Sequence, residues 1–309
     1  MNGITLSVVV PVYNEEEVIN ESYKRLTEVL EKCGETYELI FVNDGCRDKT
    51  PELAREICEK DNRVKLINFS RNFGHQLAIT AGMDNTVGDA VVVIDADLQD
   101  PPEVILEMLA KWKEGYEIVY GKRVSREGET FFKKFTAKVF YRFLDKMTDV
   151  NIPVDTGDFR LIDRKVCDAL KNVPEHNRYV RGIVSWLGFK TCPVEFERHA
   201  RFAGTTKYPL KKMIRFASDA IMSFSYKPLK LATWLGGITS FAAVILLIVY
   251  ACLKYLNPIT SLNIALLFAA GLIMITIGII GEYIARMCDE VRRRPLYLIA
   301  SKVNFEEEK

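Results

Sequence analysis

Val91-Val92-Val93-Ile94-Asp95-Ala96-Asp97-Leu98-Gln99-Asp100-Pro101-Pro102 carries the reading of this chain. Its run of β-branched apolar residues fits a buried parallel strand. The run ends in three carboxylates within six positions, and two prolines then prepare a helix start. Carboxylates at the C-terminal end of an α/β strand stand where such sheets bind ligands. The Asp-x-Asp spacing suits a hard divalent cation, held by carboxylates and by the phosphates of a substrate. Taken alone, the stretch also reads as a polar strand-to-helix turn with Asp100 as an N-cap. The rest of the chain decides between the two.

Upstream, residues 4–10 read as a buried strand closed by Pro11-Val12-Tyr13-Asn14, and an amphipathic helix follows over 15–33. A strand over 37–42 runs into Asn43-Asp44-Gly45; a helix at 50–60, a strand at 64–69 and a helix at 74–85 lead back to the strand at 90–94. A helix at 102–114 and a strand at 117–121 continue the alternation, and 157–162 and 190–198 read as further strands. This is the sequence form of a mostly parallel sheet covered on both faces. Such a sheet gathers its strand ends at one rim, so Asn14-Glu15, Asp44 and Asp95 with Asp97 converge there although they are far apart in sequence. No Gly-x-x-x-x-Gly-Lys and no Gly-x-Gly-x-x-Gly is present, which argues against P-loop and dinucleotide chemistry. What remains is a nucleotide held through acidic turns and a metal.

Composition bounds the remainder. A net charge of +1 over 309 residues gives no global basic field for nucleic acid. Seven scattered cysteines without a Cys-x-x-Cys pair indicate reduced thiols, and three distant histidines give no His-rich metal site. Met1 runs almost directly into a strand pattern, so no signal peptide is expected. Two uncharged apolar runs, Leu231–Leu253 and Ile259–Gly281, each reach roughly 34 Å as helices, enough for a hydrocarbon core. With only Lys254-Tyr255-Leu256-Asn257-Pro258 between them they read as a transmembrane hairpin. Lys227, Lys230, Arg286 and Arg292–Arg294 flank it and place both ends in the cytosol. Residues 131–147 and 205–230 are basic and amphipathic, a pattern that can lie in a membrane interface. The expected organisation is a cytosolic α/β domain over 1–204, a juxtamembrane segment over 205–230, a hairpin over 231–285 and a cytosolic tail over 286–309, acidic and disordered from 304.

Four motifs then form an ordered set: Val-Val-Pro-Val-Tyr-Asn-Glu-Glu (9–16), Phe-Val-Asn-Asp-Gly (41–45), Asp-Ala-Asp-Leu-Gln-Asp-Pro-Pro-Glu (95–103) and Asp-Thr-Gly-Asp-Phe-Arg-Leu (155–161). Together they resemble the GT-A, family 2 glycosyltransferases. More narrowly, they resemble polyprenyl-phosphate glycosyltransferases of the bactoprenol glucosyltransferase type, relatives of dolichol-phosphate mannose synthase. The resemblance extends through the hairpin to Gly281-Glu282-Tyr283 and Arg294-Pro295-Leu296-Tyr297.

The resemblance implies roles for individual residues. Pro11, Tyr13, Glu15 and Asp44 would line the uridine pocket, and Asp95 would face the ribose. Asp97, with Asp95 and Gln99, would hold Mg2+ or Mn2+ on the diphosphate. Asp158, with Asp155 nearby, sits where the family places its candidate base. A phosphate acceptor is already largely a dianion at neutral pH, so Asp158 could equally orient the sugar. Arg123, Arg201 and Lys207 match the phosphate-contacting positions, where Arg offers bidentate geometry. Arg160 is a further candidate. Position 46 departs from the family pattern: Cys stands where Ser is usual, and a thiol is the weaker hydrogen-bond partner.

The implied activity is inverting, metal-dependent transfer of one sugar, glucose from UDP-glucose, to polyprenyl phosphate. It would take place at the cytosolic face of a bacterial inner membrane, by a homo-oligomer packed through its hairpins. UDP-N-acetylglucosamine, a UDP-arabinose derivative or GDP-mannose are alternative donors. A non-catalytic anchored subunit would show eroded acidic turns, and a transporter would show intramembrane charge; the sequence has neither. A Gln-x-x-Arg-Trp motif of processive synthases is also absent.

Overall fold

The computed structural model describes residues 3–124, 156–173, 175–176, 178–198, 229, 234–239, 241–242, 244–245, 248–249 and 258–305. Asp155, Arg201, Lys207, the basic stretch at 131–147 and all but one residue of 205–230 lie outside them.

The described elements are β1 (Leu6–Val12), α1 (Ile19–Lys32), β2 (Tyr37–Asn43), α2 (Thr50–Lys60), β3 (Val64–Phe69), α3 (His75–Asp84), β4 (Ala90–Val93), α4 (Val104–Lys113), β5 (Ile118–Arg123) and β6 (Thr156–Asp163). They continue with α5 (Arg164–Lys171), α6 (Val180–Trp186), β7 (Thr191–Phe196), α7 (Pro258–Arg292) and β8 (Ile299–Val303). The strands form one eight-stranded sheet in the order β7-β5-β6-β4-β1-β2-β3-β8. β4, β1, β2 and β3 are parallel; β6 runs antiparallel to both β4 and β5, and β7 is parallel to β5.

The continuous apolar runs of β1, β2 and β4 follow from burial on both faces. Val8, Val10, Val12, Leu39, Phe41, Leu66 and Val92 pack with α1, α2 and α4, while Val9, Ile40, Val42, Ile67, Val91 and Val93 pack with α3, α5 and α6. Pro11 is tolerated inside a central strand because β4 ends opposite Val9, leaving Pro11 paired only with Val42 of β2.

Two features of the C-terminal part were not expected. First, residues 299–303 are not a loose tail. They add β8 antiparallel to β3, closing an edge that would otherwise expose unpaired backbone. Asn304 Nδ2 donates to the Cys58 and Val64 carbonyls at 2.7 and 2.8 Å, so ordered structure runs past residue 303. Second, the helix begun at Pro258 continues beyond Gly281 to Arg292. Among the described residues this is the one helix long and apolar enough to cross a membrane, over Phe268–Arg292. The expected second span is therefore a single long helix. Of the first run, 231–253, the residues described are helical.

Candidate active site

Antiparallel insertion of β6 makes the site. Val93 of β4 pairs with Arg160 of β6, so two residues beyond, Asp95 comes opposite Asp158. A residue at the start of one strand thus meets a residue just past the end of its neighbour, on the rim where β1 and β2 also end.

Asp158 is buried and heavily satisfied. Arg181 Nε and Nη2, from the first turn of α6, donate to its two oxygens at 2.8 and 3.0 Å. Gln76 Nε2 donates at 3.2 Å, and His75 Nε2 lies 3.2 Å from the same oxygen. Burial opposes its charge, but Arg181 and His75 hold the carboxyl well below the usual carboxylate range. Gln76 Oε1 also accepts from the Val180 backbone N–H at 3.0 Å, tying the start of α3 to the start of α6. Arg160 turns back on its own strand, donating to the Gly157 carbonyl at 2.9 Å, and stands 3.9 Å from Asp158.

Asp95 is the opposite case. Burial raises its pKa to about 6, with Asp158, Asp97 and Asp100 adding to the effect and His75 opposing it. Its Oδ1 is buried without a hydrogen-bond partner, and His75 Nε2 lies 3.5 Å away. Asp97 Oδ1 accepts the Gln99 backbone N–H at 3.1 Å across a turn in which Leu98 takes φ 55°. Among the described residues no group of three or more His, Cys, Asp or Glu side chains is gathered to hold a metal. A magnesium-like cation does not need one, since it uses one or two carboxylates plus substrate phosphates and water. The idle, buried Asp95 oxygen beside Asp97 fits that donor set.

Asp100 does not cap a helix: α4 begins at Val104 without a side-chain cap, and the Asp100 carboxylate instead takes Arg123 Nη2 at 3.1 Å. Arg123, expected to face a lipid phosphate, is therefore already paired.

Asp44 organises the other half of the rim. Its carboxylate accepts the Phe73 N–H at 2.7 Å, the Gly74 N–H at 3.0 Å and Asn72 Nδ2 at 2.9 Å. Burial raises its pKa while those backbone donors pull it down. Gly45 takes φ +68°, and a Cβ there would lie 2.4 Å from the Asn72 nitrogen, so the turn needs glycine to seat this loop. Cys46 takes over the expected hydroxyl's part: Asn14 N donates to its sulfur at 3.2 Å. Glu15 N donates to Thr50 Oγ1 at 2.8 Å, and Tyr13 is the exposed residue at the β1 end.

Of the residues expected from sequence, the structure sets Asp95 opposite Asp158 and pairs Arg123 with Asp100, while Pro11, Tyr13, Glu15 and Asp44 lie at the ends of β1 and β2. Sequence reasoning missed His75, Gln76, Arg181 and Arg198. Arg181 had one visible signal, a lone cation in the apolar segment Val180–Trp186.

This chain is similar to known proteins over most of its length. The family model described as glycosyl transferase family 2 matches residues 7–171. An uncharacterized glycosyltransferase YkcC of Bacillus subtilis (strain 168) is 55% identical over 308 residues, 98% of this chain and 95% of that protein. The prophage bactoprenol glucosyl transferase homolog of Escherichia coli (strain K12) is 39% identical, covering 95% of this chain and 98% of that one. The bactoprenol glucosyl transferase of Shigella phage SfX is also 39% identical, covering 96% and 99%. A mycobacterial protein of known structure shares the fold at TM-score 0.50 and 18% identity, over 71% of this chain and 73% of that one. Fold, rim and relatives together define a glycosyltransferase. The chain belongs to glycosyl transferase family 2.

Proposed function

We propose that this enzyme transfers a single glucose from UDP-glucose to polyprenyl phosphate at the cytosolic membrane face, with inversion and with Mg2+ or Mn2+. The carrying observation is Asp95 with Asp97 opposite Asp158: Asp95 Oδ1 is buried without a hydrogen bond, while both Asp158 oxygens are held by Arg181. Likeness over nearly the whole chain to proteins named bactoprenol glucosyl transferase supports the lipid acceptor and the sugar.

In this reading Asp97, Asp95 and Gln99 hold the cation, which when bound neutralises the charge on the departing diphosphate. Pro11, Tyr13, Glu15 and the loop seated by Asp44 hold the nucleoside. Asp158 is an orienter. A carboxylate gripped by Arg181 on two oxygens is a poor proton acceptor, and a dianionic phosphate nucleophile needs none. Arg123, Arg201 and Lys207 serve the acceptor phosphate; Asp155 joins Asp158 and Asp97 in the catalytic set. α7 and the apolar run before it anchor the enzyme as a hairpin, in a homo-oligomer.

The test is transfer by the full-length protein in detergent, using short-chain polyprenyl phosphate, Mg2+ or Mn2+ and a panel of radiolabelled nucleotide sugars, with an EDTA arm. One donor giving an EDTA-sensitive, organic-extractable product is expected, and that donor is UDP-glucose. Transfer from another nucleotide sugar would replace the donor; no transfer by folded, UDP-binding protein would remove the acceptor.

A further inference from the structure

β5 and β7 run parallel, and Arg123 pairs with Phe196 at their common C-terminal end. Two residues further on, Arg198 reaches the same rim. Between the guanidiniums lies Asp100, 3% exposed. Arg123 Nη2 is 3.1 Å from Asp100 Oδ2, and Arg198 Nε is 3.3 Å from Oδ1. One carboxylate thus serves two cations. Burial and the neighbouring Arg123 both push the Arg198 pKa down, while Asp100, Asp97 and Asp95 pull it up, which places Arg198 within the field of the Asp95–Asp97 turn.

Among the described residues two details bear on this shared carboxylate. Arg123 Nε is buried without a hydrogen-bond partner, and Arg198 Nε, though 3.3 Å from Asp100 Oδ1, makes no aligned hydrogen bond to it. Buried donors are rarely left idle unless something else arrives to use them. In addition, Gly157 leaves the space in which Arg123 lies: a Cβ there would sit 2.6 Å from Arg123 Nη2. The glycine, the strand register and the shared carboxylate all bring the two guanidinium groups together.

We propose that Arg198 and Arg123 form a seat for a substrate phosphate beside the Asp95–Asp97 turn, with Asp100 as a resident carboxylate against which that phosphate competes. Arg198 is a phosphate-binding residue, and its fork matches phosphate geometry. Asp100 keeps the two cations together when no phosphate is bound and limits how tightly they hold one. Two sources share this chemistry, the acceptor's phosphate monoester and the donor's diphosphate. Which of them applies rests on the function proposed above; the seat itself does not.

The experiment measures binding of inorganic phosphate and pyrophosphate to full-length protein in detergent by calorimetry, which requires no transfer. Arg198→Ala is expected to weaken binding about tenfold, and Arg198→Lys by an intermediate factor. Asp100→Asn is expected to tighten it about tenfold, because the competing anion is gone. In steady state, a rise in KM for one substrate and not for the other in Arg198→Ala identifies the source. The proposal is overturned if wild type binds neither anion, if the Arg198 variants bind like wild type, or if well-folded Asp100→Asn binds more weakly. Should Asp100→Asn fail to fold, the two Arg198 variants still decide. Absence of transfer with every donor, alongside the expected binding pattern, would refute the proposed function and leave the seat standing.

Discussion

Removing Arg181 separates the two roles open to Asp158. In Arg181→Met the Asp158 carboxylate, 7% exposed, keeps His75 and Gln76 but loses its bidentate cation. Breaking a buried pair by deleting one partner costs about 3–5 kcal/mol. Arg181 is itself 24% exposed, so the low end, about 3 kcal/mol, applies. For a domain of this size that lowers the melting temperature by about 6–12 °C. The double variant with Asp158→Asn removes the stranded charge and should fall short of the summed single losses by at least about 1.5 kcal/mol. The acid side gives an independent check. A depressed carboxyl contributes stability in full above its unfolded pKa near 4, and loses it as the pH falls through the folded value. The wild type should therefore lose stability below about pH 4 more steeply than Arg181→Met. Melting of the detergent-purified protein followed by tryptophan fluorescence reads all of this, with sugar transfer measured in parallel. A base would become stronger when its cation is removed, and an orienter would come loose. The reasoning predicts a fall in kcat. A melting point within 2 °C of wild type, or a kcat that holds or rises, would refute it.

Three further outcomes follow from the same geometry. Asp97→Asn should abolish transfer while leaving the melting curve near that of wild type, because an amide oxygen can still accept the Gln99 N–H across the turn; wild-type turnover would remove it from the cation site. Gly45→Ala should cost about 2 kcal/mol or more, from the positive φ and the contact with Asn72, and should weaken UDP binding; thermal melting and calorimetry check both. Tyr297 stacks on Phe69 at 5.3 Å and donates to Asp84 at 2.9 Å, so Tyr297→Ala should loosen β8 by about 2 kcal/mol; faster hydrogen exchange at 299–303 would report it.

Much of this architecture was legible because both faces of the central strands are buried. The runs at β1, β2 and β4 have to be apolar and β-branched, and their polar ends have to be turns. The rim residues Asp44, Asp95 and Asp97 follow from that alone. The direction of β6 could not be read, since its mix of charged and apolar residues fits a strand of either direction; only pairing with β4 brings Asp158 across from Asp95. α5 and α6 were also unread, and Arg181 with them. β8 is short and largely exposed, as befits an edge, and its partner lies more than 230 residues away, a separation no local pattern encodes.

The return of the chain from α7 into the sheet has a mechanical consequence. Six residues, 293–298, join the helix end to β8, a leash of at most about 25 Å. It is shortened further by His176, whose backbone donates to Glu290 at 2.8 Å and whose ring meets the Arg294 carbonyl at 2.7 Å. The leash also passes the loop that Asp44 grips: Leu298 accepts from Ser70, Tyr297 stacks on Phe69, and Phe69 meets Phe73 edge-on. A catalytic domain fastened in this way cannot swing out to fetch its acceptor. Under the proposed function, with α7 in a bilayer, it would stay moored at a fixed height, and the lipid headgroup would have to travel to the rim.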